Sequence, residues 1–352
     1  FVAFLCLLFQ TTLSAQDEPI IEEEEEEVID FSNLVQTAEN KAFCSSRIIG
    51  QVPIKVFSFG YDYQAGYTFE PGAFNPTGPS AQNNIESTQG LRFGINYPVI
   101  SKNSFLLNLG LNYAASNYSF DNVTGTTDNP LTRALDNNGL TTFGFTATAF
   151  KPLNSRKFLL FQFGAALNGD YSFSDFQSLE YMRYSGAVIY GIKSNDRKMW
   201  GFGLSRTYIG GALNYLPVYY MLYTAKSKKW GLEMVLPARF QYRRNLNSKN
   251  LLLVGWEVEG NTYRINNDEN QYNLPFNDIE LRRSELRFRV TWEHAITSQI
   301  WLSAQAGYRY NWSFDVDRGD FFRPFGDDTP FLAEQNVGNP AYFNLSINWV
   351  SP

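Results

Sequence analysis

Past its first fifteen residues this sequence has no apolar run approaching the roughly 20 residues a membrane-spanning helix requires, which excludes a helical span there. Charge is scarce, at 18% of residues, where a soluble domain carries about a quarter. Histidine occurs once, at His294, and of the two cysteines only Cys44 lies outside the apolar opening stretch. One histidine and one cysteine supply no common zinc site, and a lone thiol closes no disulfide within the chain. What the chain has instead is rings: 30 Phe, 21 Tyr and 7 Trp among 352 residues, at a mean hydropathy of −0.29. Aromatic-rich, weakly charged and without a spanning helix is the profile of a membrane β-barrel. A large secreted β-sandwich shares it.

The opening FVAFLCLLFQTTLSAQ reads as the apolar core of an export signal over residues 1–15. Ser14-Ala15 before Gln16 supplies the cleavage site, and the basic start of such a signal is not in this sequence. Ten of the 35 acids fall within residues 1–40, which hold no Lys or Arg. The rest of the chain sets 29 basic residues against the other 25 acids. Segment 17–30, DEPIIEEEEEEVID, is a like-charge block expected to be solvated and unstructured. Residues 16–50 are therefore read as an acidic periplasmic segment, open to an envelope partner through 17–30, and 51–352 as the folded domain.

That domain alternates with period two. IKVFSFGYDYQAGYTF puts Phe57, Phe59, Tyr61 and Tyr63 on one parity and Ser58, Gly60, Asp62 and Gln64 on the other. GLRFGINY (90–97), FLLNLGLNYA (105–114) and segments near 140–150, 157–169, 181–192, 199–206, 217–224, 229–236, 238–243, 251–263, 281–294, 300–314 and 341–350 repeat the scheme. Six connections are short and polar: 98–104, 151–156, 193–198, 225–229, 244–250 and 295–299. The alternate ones are mostly long, about 70–88, 119–138, 170–180, 207–216, 264–280 and 315–340. Short turns alternating with long loops mark an up-and-down transmembrane barrel with periplasmic turns and extracellular loops. Counting 229–243 as one strand breaks the alternation, whereas Pro237 can split it in two. The expectation is fourteen antiparallel strands, with twelve as the alternative if 217–224 and 229–236 are misread.

Ring placement supports the membrane reading. Trp200, Trp230, Trp292, Trp349 and Tyr97 share the apolar parity and lie near the short turns or the C-terminus, as interfacial aromatics do. In the closing stretch AYFNLSINWV, residues Phe343, Leu345, Ile347 and Trp349 face one way. They resemble the C-terminal signal that barrel assembly machinery reads, here followed by Ser351 and Pro352. With the LSAQ-type export end, FSFGYDYQAGY, the GFG and LP elements (201–203; 216–217 and 236–237) and FNLSINW, residues 50–352 resemble the uncharacterised outer-membrane β-barrel families of Bacteroidota. The resemblance implies a Gram-negative outer-membrane location and contact with its lipid, and no established activity.

Charge gathers on the inward parity of the later strands. Arg283, Glu285, Arg287, Arg289 and Glu293 share it on 280–294, beside Glu257 and Glu259. Arg92, Arg183, Arg239 and Arg309, with Asp62 and Glu233, complete the lumen set. Such arginines either line a path for anionic or polar solutes or pair across strands, Glu257 and Glu259 with Arg287 and Arg289, and fill the interior. Seven Arg against six acids favour pairing. His294 falls on the lipid-facing parity beside a short turn, a poor place for catalysis. DVDRGDFFRPFGDD (315–328) has the Asp315, Asp317 and Asp320 of a calcium loop, but Gly319 comes one position early and Gly326 stands where Glu is required. The sequence thus points to a non-enzymatic barrel passing or binding small solutes, with no cofactor, metal or nucleic-acid partner. A closed barrel serving as anchor or complex subunit is the alternative.

Overall fold

The structure, a computed structural model, describes residues 44–72, 83–121, 129–171, 182–208, 213–266, 279–318 and 330–351. The export signal at 1–15, the acidic block at 17–30 and residues 319–328 of the calcium-like stretch lie outside the described residues. Strands run in the order β1 Ile54–Glu70, β2 Asn83–Lys102, β3 Phe105–Asp121, β4 Leu140–Pro152, β5 Lys157–Gly169, β6 Arg183–Asn195 and β7 Lys198–Thr207. They continue as β8 Asn214–Thr224, β9 Trp230–Leu236, β10 Arg239–Asn245, β11 Asn250–Ile265, β12 Ile279–Ala295, β13 Ile300–Arg318, the two-residue β14 Asn336–Val337, and β15 Ala341–Ser351. Each long strand pairs antiparallel with the next, and β1 pairs with both β2 and β15. The sheet closes as a fourteen-strand barrel, with β14 a short addition beside the far end of β1. The twelve-strand alternative is excluded, because β8 and β9 are separate strands and β9 and β10 form a hairpin turning at Pro237 and Ala238.

Which parity is exposed decides between barrel and sandwich. Phe57, Phe59, Tyr61, Tyr63, Leu345 and Ile347 are exposed, while Asp62 and Gln64 are buried. A soluble sheet does the reverse. An outward apolar band around a polar interior is what lipid selects. The fold is an outer-membrane β-barrel.

Strands extend beyond the stretches that alternation marks out. β2 begins at Asn83, inside the expected loop 70–88, because beyond the apolar band the wall continues with polar outward residues while Ile85 still packs inward. The expected loop 119–138 holds the helix α1, Pro130–Asn138. Asn129 caps it, its side chain accepting from the Leu131 and Thr132 amides, a strong N-terminal signal with proline next. Gly139, at a φ of 64°, ends it. Leu131 and Leu135 of α1 bury against Phe69, Ile85, Ile279 and Val316, making an apolar core at the long-loop end. Alternation fails at bulges, among them those at Lys55/Phe57 in β1, at Ile85/Ser87 and Pro98/Ile100 in β2, and in β13 opposite Ser284/Glu285, where an extra residue turns the next side chain to the other face.

Candidate functional site

The interior is built around β12. Its inward residues meet those of β11 on one side and of β13, β15 and β1 on the other. Arg287 and Glu257 are directly opposed, and Glu259 faces Glu285. That register would set two carboxylates side by side, so the ion pairs run diagonally: Arg289 bonds Glu257, and Arg287 reaches Glu259 at 2.5 Å as well as Glu285. Glu285 also accepts from Arg283 at 2.9 Å and from Arg309 at 3.1 Å. Arg309 continues to Asp62 at 3.4 Å and lies over the Tyr342 ring. Asp62 takes Arg92 and an Asn344 amide at 2.8 Å. Glu285 and Arg309 are each 1% exposed. A carboxylate among three guanidiniums satisfies its lone pairs, which is the condition for burying such charges.

Two further groups flank this network. Toward the short turns, Glu293 bonds Lys55 at 2.9 Å and Ser303. Arg239 lies opposite Glu257 across β10 and β11. Arg243, which the sequence reading passed over although it shares the parity of Arg239, is fully buried and donates to Glu233 at 2.9 Å and Thr224 at 2.8 Å. Lys55 was missed for a different reason: simple alternation puts it outward with Phe57, and the bulge turns it in. Arg183 stands apart from the network, paired with Glu280 at the long-loop end, where Arg282 also meets Asp317 at 3.2 Å.

The inner wall from β3 to β8 carries little charge, and at its short-turn end it is apolar. Phe158 stacks on Phe150 with ring centroids 4.9 Å apart, and Met199 and Leu222 bury beside them. Over this patch runs a strap, residues 44–53, that follows the mouth at the short-turn end. The Cys44 amide donates to the Asn154 carbonyl and the Ile49 amide to that of Asp196. Lys193 donates to the Arg47 carbonyl at 3.0 Å. Cys44 and Ile48 sink into the patch, and Val52 packs on Leu251, Ala295, Trp301 and Val350. Burial pushes the Cys44 thiol pKa up, against the pull of Lys193.

The wall is uneven in height. β9 and β10 have 7 residues each, against 16 for β11 and 17 for β12. Above the hairpin tip, β8 pairs only with β7, and β5 joins β11 directly: Gly169 sits beside Arg264, and the Asp170 amide donates to the Arg264 carbonyl at 3.2 Å. Five strands thus end below a β5–β11 seam, and the inner face of β5–β7 looks onto Gly260, Asn261 and Thr262 of β11. Beside the hairpin tip lies a cavity of about 210 Å³. Gln162, Ser185, Ser205 and Thr207 line its polar side, Leu216, Val218, Val235 and Pro237 its apolar side, and Arg206, on the outward parity of β7, also borders it. The glycines of GFG face inward here because the strands crowd: a Cβ on Gly203 would stand 2.0 Å from the Val188 carbonyl oxygen.

The model of a family described as a domain of unknown function, DUF6268, matches residues 82–350. The chain belongs to that family. No curated protein matches it. Among solved structures it is similar to an outer-membrane channel from Pseudomonas putida F1, at 13% identity over 86% of this chain and 97% of that one, TM-score 0.35. It is also similar to the P. putida toluene transporter TodX (8%, 84% and 90%, TM-score 0.34) and to the NanC porin (9%, 83% and 100%, TM-score 0.31). All are barrels of the outer membrane; the architecture of this family member rests on its own strand pairing.

The remaining predicted residues are placed as follows. Tyr97, Trp292 and Trp349 are exposed and Trp200 and Trp230 half-buried, all outward and near the short-turn end. Phe343, Leu345, Ile347 and Trp349 form the outward face of β15, which pairs with β1 and β13. His294 stacks on Trp292 and its Nδ1 lies 2.9 Å from Asn250 Oδ1. Asp315 and Asp317 belong to β13, where Asp315 takes Ser313 and the Gln335 amide.

Proposed function

We propose that this protein is a non-enzymatic, transporter-like outer-membrane barrel that binds small, uncharged, weakly polar solutes in the side cavity beneath the β5–β11 seam. The observation that carries this reading is the low β9–β10 hairpin, which leaves that cavity beside the interrupted wall, with hydroxyl and amide groups on one side and Leu and Val on the other. Ligand pockets combine an apolar lining with a few placed polar groups in this way. The arginines act by pairing: each cation of the central network has a carboxylate, so the network has little free charge to attract an anion.

Ligand-observed NMR with p-cresol tests the reading, using the barrel in nanodiscs. Saturation transfer is expected with the wild type, and its loss in Val218→Phe, which fills the cavity. Transfer unchanged by Val218→Phe would overturn the assignment.

A second reading, the closed structural barrel, draws on the burial of Glu285 and Arg309. It expects a partner to co-purify through residues 17–30 and to be lost when Glu22 to Glu27 are replaced by Gln. In both readings the outward face of β15 is what the assembly machinery engages.

A further inference from the structure

We propose that the outer wall over β4–β8 holds an anionic phospholipid, whose phosphate charge no headgroup cation offsets, with an acyl chain in a groove across the strands and the phosphate on Arg206. The register builds the groove. One cross-strand row on the outward parity reads Ala147, Phe163, Gly186, Arg206, Tyr215, and the next reads Ala149, Phe161, Val188, Leu204, Pro217. Small residues in the midst of large ones leave a depression of about 600 Å³, within the roughly 300–1,000 Å³ of ligand sites. It faces hydrocarbon, so an acyl chain fills it.

Arg206 gives the groove a polar end. The other cations on the outward parity of these strands, Lys151, Lys157 and Lys198, lie at the short-turn end. Arg206 stands near the opposite end, flanked by the exposed Tyr184 and Tyr215, rings of the kind that settle at headgroup level. Gly186 beside it leaves room for the guanidinium to reach the Tyr184 carbonyl, and its carbon lies 5.9 Å from the centre of the Tyr208 ring. No carboxylate pairs with Arg206 among the described residues. A guanidinium held by a carbonyl and a ring keeps N–H donors in the fork that matches a phosphate.

Native mass spectrometry of the full chain, released from detergent with phosphatidylglycerol or phosphatidylcholine of identical chains, tests this. One phosphatidylglycerol is expected to be retained about tenfold better than phosphatidylcholine, and Arg206→Gln to remove that preference, as for loss of one charge-assisted bond. Arg206→Lys should recover part of it. Ala147→Leu, which fills the groove, should weaken both lipids. Arg244→Gln, outward but at the short-turn end, should change nothing. Equal retention of the two lipids, a preference that survives Arg206→Gln, or displacement by inorganic phosphate alone would overturn the proposal.

Discussion

The two halves of the barrel interior are filled by different means. From β10 through β15 to β2, the wall carries charge and is tied across strands by ion pairs on Glu285, Arg309 and Asp62. From β3 to β8 it carries little charge, and its apolar short-turn end is covered by a strap from the chain's own N-terminal side, with Ile48 and Cys44 on Phe158 and Met199. The first half closes itself; the second depends on a separate segment staying seated. A self-paired network resists opening because freeing one charge strands another. A strap held by apolar contact and a few backbone bonds is the half that local opening releases more readily.

The largest expected effect breaks the charged half. Glu285→Gln leaves three guanidiniums around a neutral amide and should cost about 3–5 kcal/mol, seen as a lower urea midpoint in vesicles. Replacing Glu285 and Arg309 together by Leu and Met should recover only part of that loss, because the buried Arg283 loses the one carboxylate it bonds among the described residues. Phe158→Ala breaks the strapped half. It should cost about 3 kcal/mol, the low end for a buried phenylalanine, since the strap can settle into the space. It should also raise maleimide labelling of Cys44 on the order of tenfold, because burial now keeps that thiol protonated and covered. Wild-type labelling at the rate of a free thiol would show that the strap is not seated.

Smaller effects sharpen the comparison. Arg289 and Glu257 are 16% and 33% exposed, so Arg289→Gln should cost about 1 kcal/mol or less. A loss as large as that for Glu285→Gln would mean that the network is uniform. The smallest effect is at the seam. Burial raises the Asp170 pKa above the usual carboxylate value, against hydrogen bonds that lower it. The folded state therefore holds its proton to higher pH than the unfolded chain. Its contribution is fullest below the unfolded value and is lost as pH rises through the raised one. Asp170→Asn should flatten that dependence, giving the Asp170-position amide a few-fold more exchange protection at pH 8.

Much of this was legible in the sequence. Period-two alternation and loop lengths yield the strand order, and Pro237 yields the count. The pairing of Glu257 and Glu259 with the β12 arginines follows from parity and proximity along the chain. What alternation cannot reach is anything that breaks it. A bulge turns Lys55 inward, and the diagonal choice of partners depends on the register that puts Glu259 opposite Glu285. By composition the strap belongs to a loose acidic segment; residues 44–50 nonetheless pack into the mouth, and Cys44 and Ile48 are too few to show as a pattern. The β5–β11 seam joins segments 95 residues apart through a single register pair, Gly169 and Arg264. No local signal encodes it.

The central claim, that this interior is closed by its own pairing and strap, is tested most directly by single-channel conductance of the purified barrel in a planar bilayer. The account predicts folded protein with no steady conductance. A steady, anion-selective conductance lost on Arg287→Ala and Arg289→Ala would contradict it and make the arginines the wall of an open pore.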